Sequence, residues 1–352
     1  MTGIRQAAIR ATLETLYFSG AHRLARPFLA GMGAILTFHH VRPPRTDAFQ
    51  PNRHLEVSPG FLDEVIAALR RVGVDIVSID EAHRRLTEGR RSRRFVVLTF
   101  DDGYRDNRTF AWPVLERHQA PFTLYVASAF AEGGGGLWWL MLEEAVARND
   151  RIEVEFAGGG GLFDCSHLRA KTETFGTLYR YLRQCNDQAG LDRAAREIAA
   201  AGGVDLAAQC VELCMGWDEL SHLAGSPLAT IGAHTVNHVI LSKVSDTAAR
   251  REMAASVDRI DEALGVRPRH LAYPVGDPSS AGRREFAIAA ELGFRTAVTT
   301  RPGVLFAEHA DQLTALPRIS VNGDFQRLRY LDVLLSGAPT ALMSGLEGLR
   351  AA

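Results

Sequence analysis

An alternation of short apolar runs with longer helical patterns constrains the fold of this chain most strongly. Runs rich in Val, Ile, Phe and Thr recur along the sequence, and several are apolar at every position, as in strands buried on both faces. Strands are predicted at residues 34–39, 75–79, 95–100, 122–127, 229–233, 270–273, 296–299 and 318–321. Helices are predicted between them at residues 59–72, 109–118, 245–264 and 282–292. The alternation predicts an α/β protein whose βα units surround a parallel sheet.

The composition is that of a folded protein without a large excess of either charge. Of its 352 residues, 46% are hydrophobic and 23% are charged, which allows a sizeable core. Forty basic residues oppose forty-one acidic ones. The chain therefore lacks the broad positive field of proteins that bind phosphate backbones, and we predict no nucleic-acid partner.

The stretch 131–215 interrupts the regular alternation and is predicted to be an insertion. It contains glycine runs at 133–136 and 158–161, which we interpret as flexible turns because neither precedes the Gly-Lys-Ser/Thr of a phosphate-binding loop. A strand at 151–156 and a helix at 175–201 indicate that the insertion has structure of its own. Two adjacent tryptophans, Trp138 and Trp139, either stack on a sugar ring or anchor the insertion, and we favour the anchor.

The predicted organisation is therefore one barrel domain with additions. Residues 31–130 and 216–324 form the barrel around the insertion, residues 1–30 form a helical extension, and residues 325–352 form a C-terminal helix. All four cysteines lie within the insertion, and none forms a tight Cys-x-x-Cys pair. We expect reduced, buried or half-buried thiols.

The N-terminal extension carries an apolar stripe interrupted by arginines. Ile9, Leu13, Leu16, Tyr17 and Leu24 recur at helical spacing. This pattern fits a helix packed on the barrel, which we favour, or an amphipathic helix on an anionic membrane surface. No cleavable signal peptide is evident, so we expect a cytoplasmic protein with membrane contact at the inner face as an alternative.

Two adjacent carboxylates end one of the buried strands. Asp101 and Asp102 follow the run at 95–100 and precede Gly103, at the position where barrels of this class carry functional groups. Neighbouring strand residues point to opposite faces, so both side chains reach one site only if the chain turns there. Two carboxylates held close repel unless a cation shares their charge. The pair therefore predicts a metal.

Two histidines follow another predicted strand and complete a ligand set. His234 and His238 lie four residues apart, and one helical turn would place both rings on one face. Together with Asp102 they form a three-ligand set with open positions, typical of catalytic zinc. Cobalt, nickel, iron or manganese also fit these ligands. Such a metal activates water and polarises a carbonyl while a carboxylate, here Asp101, accepts the proton.

These motifs resemble those of a known family. Thr-Phe-Asp-Asp-Gly around Asp101, His-Thr-Val-Asn-His at 234–238 and Tyr-Pro-Val-Gly at 273–276 resemble the first three motifs of the polysaccharide deacetylases of the NodB type. The resemblance covers about residues 35–322 apart from the insertion. It implies a distorted (β/α)7 barrel in which Asp101 is the catalytic base and Asp102, His234 and His238 bind a divalent metal.

The third motif departs from the family pattern at two positions. Ala272 stands where relatives often carry an arginine that orients the base. Arg318 either supplies that charge from a later strand or is an ordinary surface residue. Val275 replaces the usual aromatic residue, but its backbone N–H suffices to bind an oxyanion. Tyr273 and Pro274, which precede it, are further candidate substrate-contacting residues.

The family's late histidine, the general acid, has no counterpart near the C-terminus. Leu-Thr-Phe-His39-His40-Val instead resembles the N-terminal motif of circularly permuted relatives that act on poly-N-acetylglucosamine. We predict His39 as the acid, with a structural histidine as the alternative. Because strand residues alternate, only one of His39 and His40 should reach the metal.

The sequence therefore predicts metal-dependent hydrolysis of N-acetyl groups on an amino-sugar oligo- or polysaccharide, with release of acetate. An N-acetylated carbohydrate is the expected partner. Two alternatives stay open. One is an inactive barrel that binds metal and glycan within an envelope or exopolysaccharide assembly. The other is a deacylase of a lipid- or nucleotide-linked sugar.

Overall fold

The computed structural model describes residues 3–89, 93–156 and 160–343. Its strands are β1 Gly33–Phe38, β2 His40–Val41, β3 Glu56–Val57, β4 Asp75–Ile76, β5 Phe95–Phe100, β6 Phe122–Val126, β7 Arg151–Val154, β8 Gly161–Asp164, β9 Ala229–Ala233, β10 His270–Ala272, β11 Thr296–Pro302 and β12 Leu316–Ser320. Its helices are α1 Gly3–Phe18, α2 Ala21–Leu29, α3 Pro59–Arg71, α4 Ile79–Glu88, α5 Trp112–Arg117, α6 Ser128–Ala131, α7 Trp138–Arg148, α8 Leu168–Gln184, α9 Gln188–Gly202, α10 Leu206–Leu213, α11 Trp217–Ala224, α12 Asp246–Leu264, α13 Arg283–Glu291 and α14 Leu328–Leu335.

Seven parallel strands form a closed barrel. They follow the order β1, β12, β11, β10, β9, β6 and β5, and β1 also pairs with β5, which closes the ring. The short strand β4 pairs with the start of β5, where Asp75 lies opposite Phe95. The predicted distorted (β/α)7 barrel is confirmed, and the carboxyl ends of all seven strands meet at one mouth.

The barrel core explains why the apolar runs form strands. Every residue of β1 and of β5 is buried, because the helices cover the outside of the barrel while side chains fill its inside. The predicted bounds hold for β5 and β9, and the other barrel strands differ from the prediction by at most three residues at either end. Serine side chains at Ser58, Ser78 and Ser245 accept hydrogen bonds from the first turns of α3, α4 and α12, which fixes where these helices begin.

Four predicted elements differ from the structure. The helix predicted at 109–118 is a π-helix at Asn107–Ala111 followed by α5, and the strand predicted at 151–156 ends at Val154. The strand predicted at 75–79 ends at Ile76, because Ser78 caps α4. The single helix predicted at 175–201 is wrong, since the chain forms α8 and α9 instead. Cys185 adopts a non-helical backbone with ψ 135°, and the Asp187 carboxylate accepts the Gly190 N–H to start α9. The Asp187 cap starts a new helix, although the spacing of apolar residues continues through the break.

The insertion folds around its own apolar cluster, in which Leu142, Ile152, Leu178 and Ile198 are buried. It contains α7 to α10 and the antiparallel hairpin of β7 and β8. The four cysteines are free, and three of them, Cys165, Cys210 and Cys214, are buried, in agreement with the prediction.

The N-terminal extension packs on the C-terminal helix. Leu13 of α1 is buried against Tyr330 and Val333 of α14, with Ile9, Leu16 and Tyr17 around them. These stripe residues are therefore packed as predicted, but against α14 where the prediction placed them on the barrel, and Leu24 is 78% exposed. No helix in the described ranges is long and apolar enough to cross a membrane. The single C-terminal helix predicted at 325–352 is wrong, because α14 begins at Leu328 and ends at Leu335, before Gly337, whose φ is 74°. Residues 344–352 lie outside the described residues.

Candidate catalytic and metal centre

The predicted site residues meet at the mouth of the barrel. Asp101 and Asp102 follow β5, His234 follows β9, and Tyr273 follows β10. Parallel strands of a closed barrel present their carboxyl ends on one face, which is why residues distant in sequence converge there.

The chain turns at the two aspartates, as the sequence predicts. Asp102 and Gly103 both adopt left-handed backbone conformations, with φ of 71° and 69°. A left-handed conformation is unfavourable for a residue with a side chain, so it persists only where the surroundings impose it, often at a functional site. The Asp101 N–H still donates to the Phe38 carbonyl of β1, which holds the start of the turn in place.

The two histidines converge by a different route from the predicted helical turn. Residues 234–238 form no helix; instead Thr235 and His238 have φ of 63° and 53°. The Nε2 atoms of His234 and His238 each lie 3.3 Å from Asp102 Oδ1. His234 Nδ1 lies 2.6 Å from the Ala272 carbonyl and donates to it, which leaves the Nε2 lone pair free for a ligand bond.

These three side chains fit a divalent cation. Their ligand atoms all lie within 4.8 Å of one another, and the three residues are buried. Asp102 Oδ1 is buried and accepts no hydrogen bond from any described residue. An ion ~2.1 Å from each of two ligand atoms at a tetrahedral angle separates those atoms by roughly 3.4 Å, close to the spacing found here. Two imidazoles and one carboxylate suit zinc or a neighbouring transition metal.

Asp101 is held apart from this cluster by Arg318. The guanidinium donates from Nη1 to Asp101 Oδ1 at 2.8 Å and from Nη2 to Oδ2 at 2.7 Å. Arg318 is only 1% exposed, so it is not an ordinary surface arginine. Burial alone would raise the pKa of Asp101, but the Arg318 charge and hydrogen bonds outweigh it and hold that pKa below its ordinary value. Asp101 is therefore an ionised carboxylate aimed at the site.

His39 reaches the site, whereas His40 does not. His39 Nε2 lies 4.0 Å from Asp101 Oδ2, and its ring lines the catalytic cavity. Burial lowers the pKa of His39, and the charge of Asp101 partly opposes that effect. His40 instead pairs through Nδ1 with Asp106 at 2.6 Å and stacks on Tyr104.

The third-motif loop contributes a backbone donor. Val275 lines the cavity with φ of 60°, and its N–H takes part in no hydrogen bond within the described ranges. Tyr273 also lines the cavity, but its hydroxyl donates to the Thr314 carbonyl at 2.8 Å. Pro274 is buried between them and does not line the cavity.

The catalytic cavity has a volume of about 280 Å³, and several of its residues were not predicted from the sequence. Asn52, His54 and Leu55 come from the segment after β1, and Tyr179 comes from the insertion. Nothing in the sequence near these residues marks them, because tertiary contacts alone bring them to the metal ligands. Trp138 and Trp139 both line the cavity as well.

The sequence matches the family model for polysaccharide deacetylases over residues 88–158 and 163–297. Several solved structures share the fold. A deacetylase from Streptococcus pyogenes, PplD, superposes with a TM-score of 0.57 at 19% identity, covering 86% of this chain and 97% of that one. IcaB from Ammonifex degensii gives 0.53 at 18% identity, covering 87% and 97%. A de-N-acetylase from Aggregatibacter actinomycetemcomitans gives 0.53 at 13% identity, covering 86% and 99%. No curated protein sequence matches.

Proposed function

The chain belongs to the polysaccharide deacetylase family, and we propose that it is a metal-dependent hydrolase that removes N-acetyl groups from an amino-sugar oligo- or polysaccharide and releases acetate. The arrangement of Asp101 beside Asp102, His234 and His238 carries this proposal. It combines a three-residue metal site with an ionised carboxylate that is not needed as a ligand.

Asp102, His234 and His238 would hold the cation, with zinc as the first choice. A divalent cation there supplies Lewis acidity toward water and toward the acetyl carbonyl. The protein contributes a buried site in which the ligand atoms already lie close together, so little rearrangement accompanies binding.

Asp101 acts as the general base. It accepts a proton from the water that attacks the acetyl carbon, and Arg318 keeps the carboxylate ionised and oriented for this step. The free N–H of Val275 donates a hydrogen bond to the oxygen on which negative charge develops.

His39 acts as the general acid. Its imidazole lies on the same side of the cavity as Asp101 and protonates the sugar nitrogen as the C–N bond breaks. The products are acetate and a free amine. Proton transfer to this nitrogen is required because an amine anion is a very poor leaving group.

The test is acetate release from N-acetylglucosamine oligomers by zinc-loaded protein. Asp101→Asn should remove the base and His234→Ala a metal ligand, so both should lower the rate by at least a hundredfold. His222→Ala, which changes an exposed histidine on α11, serves as the matched control and should keep wild-type activity. If folded, metal-loaded wild type released no acetate from a broad panel of N-acyl sugars, the inactive glycan-binding barrel would replace this proposal.

A further inference from the structure

The insertion lies across the mouth of the barrel. On one side, Arg45 donates to Glu143 of α7 at 2.7 Å, and Asn52 donates to the Trp139 carbonyl at 2.7 Å. These bonds attach the insertion to the segment that follows β1. Glu143 is only 6% exposed, so the connection is buried.

On the other side, the insertion is attached to the segments that follow β9 and β10. Arg183 of α8 pairs with Asp277 at 2.6 Å. The Ile240 N–H donates to the Gln188 side chain at 2.9 Å, and Lys243 donates to the Cys185 carbonyl. Contacts on both sides of the mouth hold the insertion over the metal site.

One face of α8 contacts both sides of the barrel mouth. Phe175, Tyr179 and Arg183 are spaced four residues apart and therefore lie on one face. Phe175 contacts Phe49 from the β1 side, Arg183 reaches Asp277 on the β10 side, and Tyr179 between them lines the catalytic cavity. Eight residues of helix span about 12 Å, so α8 bridges the opening above the metal ligands.

The two tryptophans of α7 have different roles. Trp139 Nε1 donates to the Tyr104 hydroxyl at 3.2 Å, so Trp139 anchors the insertion to the barrel. Trp138 is 5% exposed, lines the cavity and packs against Tyr179, yet its Nε1 donates to no described residue. A buried indole N–H normally has a hydrogen-bond partner.

We infer that the insertion closes one side of the catalytic cavity, so that the enzyme deacetylates the terminal N-acetylated unit of a chain, or a single N-acetylated sugar, and not internal units. This inference rests on the proposed function. An internal unit needs the chain to leave the cavity on both sides of the metal, and α7 and α8 block one of those exits. Thr300 and Ser320, after β11 and β12, line the side that the insertion does not cross.

In this pocket, Tyr179 and Trp138 contact the sugar. The centroids of the two aromatic rings lie 5.2 Å apart, and the rings offer an apolar wall for the face of the sugar ring. The cavity volume of about 280 Å³ lies below the roughly 300–1,000 Å³ of pockets for drug-sized ligands, which favours one sugar unit.

The test is to map the products formed from an N-acetylglucosamine pentamer labelled at its reducing end. Because the reaction leaves the chain intact, a pocket for the terminal unit predicts one acetate per chain, always from the same end. A pentamer with that end already deacetylated should not react. Release of two or more acetates per chain, or any internal free amine, would overturn the inference. Absence of acetate from every substrate would instead refute the proposed function, and this inference with it.

Two variants test directly whether Tyr179 and Trp138 contact the sugar. Tyr179→Ala should raise KM for the oligomer about tenfold with kcat within about twofold of wild type, because a ring contact is lost and the metal site is kept. Trp138→Phe replaces the indole with the smaller phenyl ring and so shortens the aromatic wall, and should raise KM roughly twofold to tenfold. Tyr181→Ala, on the same helix but stacked on Phe156 outside the cavity, is the matched control and should leave KM unchanged. An unchanged KM in both cavity variants, with unchanged metal content, would refute their contact with the sugar.

Discussion

Arg318 and Asp101 lie 217 residues apart in sequence and face each other through two parallel hydrogen bonds inside the closed barrel. Two more guanidinium hydrogens are also used, since Nε donates to the Thr299 carbonyl and Nη1 to the Thr99 hydroxyl. The pair replaces, from β12, the arginine that the third motif lacks. Its geometry fixes both the orientation and the charge of the carboxylate that we propose as the base.

Removal of the Arg318 charge should disable the base. In Arg318→Met, the strongest interaction that opposes the burial of Asp101 is lost, so the pKa of this carboxyl should rise. Asp101 accepts a proton only when it is ionised. As the pH is lowered, the variant should therefore lose activity at a higher pH than wild type does, and its kcat at neutral pH should be about a hundredfold lower. The profile of kcat/KM against pH checks this. Arg318→Lys keeps the charge without the paired hydrogen bonds and should recover part of the rate. If Arg318→Met lost activity at the same acidic pH as wild type, the role of Arg318 in keeping Asp101 ionised would be contradicted.

Metal binding should depend on the three buried ligands and not on His39. We expect one zinc per chain by elemental analysis, loss of activity with a chelator, and recovery on adding zinc. His238→Ala should weaken zinc affinity at least tenfold by calorimetry, because one of three ligands is lost. His39→Ala serves as the control and should bind zinc within about threefold of wild type. Equal loss of affinity in both variants would place His39 among the ligands.

The role of His39 should depend on the leaving group. In His39→Ala, hydrolysis of the N-acetyl sugar should fall by roughly a hundredfold to ten-thousandfold, because the amine departs unprotonated. An acetate ester of p-nitrophenol has a leaving group that needs no proton, so its hydrolysis should fall less than tenfold. Steady-state rates on both substrates, with equal zinc content, check this. Parallel losses on the two substrates would assign His39 a structural role.

The exposed face of α2 should bind anionic lipid, as predicted by the alternative in which the N-terminal extension forms an amphipathic helix on a membrane surface. Leu24 and Phe28 are 78% and 80% exposed, and Arg23 beside them is also exposed. We expect the protein to sediment with anionic phospholipid vesicles and less with neutral ones. Phe28→Asp should weaken binding about tenfold, since a buried Phe contributes roughly 1.5–3 kcal/mol. Val72→Asp changes another exposed apolar residue, 65% exposed directly after α3, and should have no effect. Equal binding of the two variants to the vesicles would show that α2 does not contact the membrane.

The sequence predicts the barrel and the central site because the signals for both are local. A continuous apolar run such as that of β5 indicates a doubly buried strand, and the aspartates directly after it must lie at the barrel mouth. The two histidines follow β9 for the same reason. Arg318 is harder to assign, because an isolated arginine carries no sign of which carboxylate it will meet.

The rest of the site depends on tertiary contacts. Thr235 and His238 adopt left-handed conformations that no residue preference predicts, and these conformations replace the expected helical turn. Tyr179 reaches the cavity only because α8 crosses the mouth, and its sequence neighbours give no indication of this. The break at Cys185, which separates α8 from α9, is set by the Asp187 cap against an otherwise continuous helical pattern.

The pairing of β1 with both β5 and β12 has a consequence for the order of folding. During synthesis, the proposed metal ligands and the proposed base emerge well before Arg318, so a chain that ends before β12 contains Asp101 without its partner. The ring closes only when the last strand inserts beside the first, and contacts of such long sequence separation form slowly. Enzymatic activity should therefore return after helical structure during refolding, because it reports the arrival of the final strand.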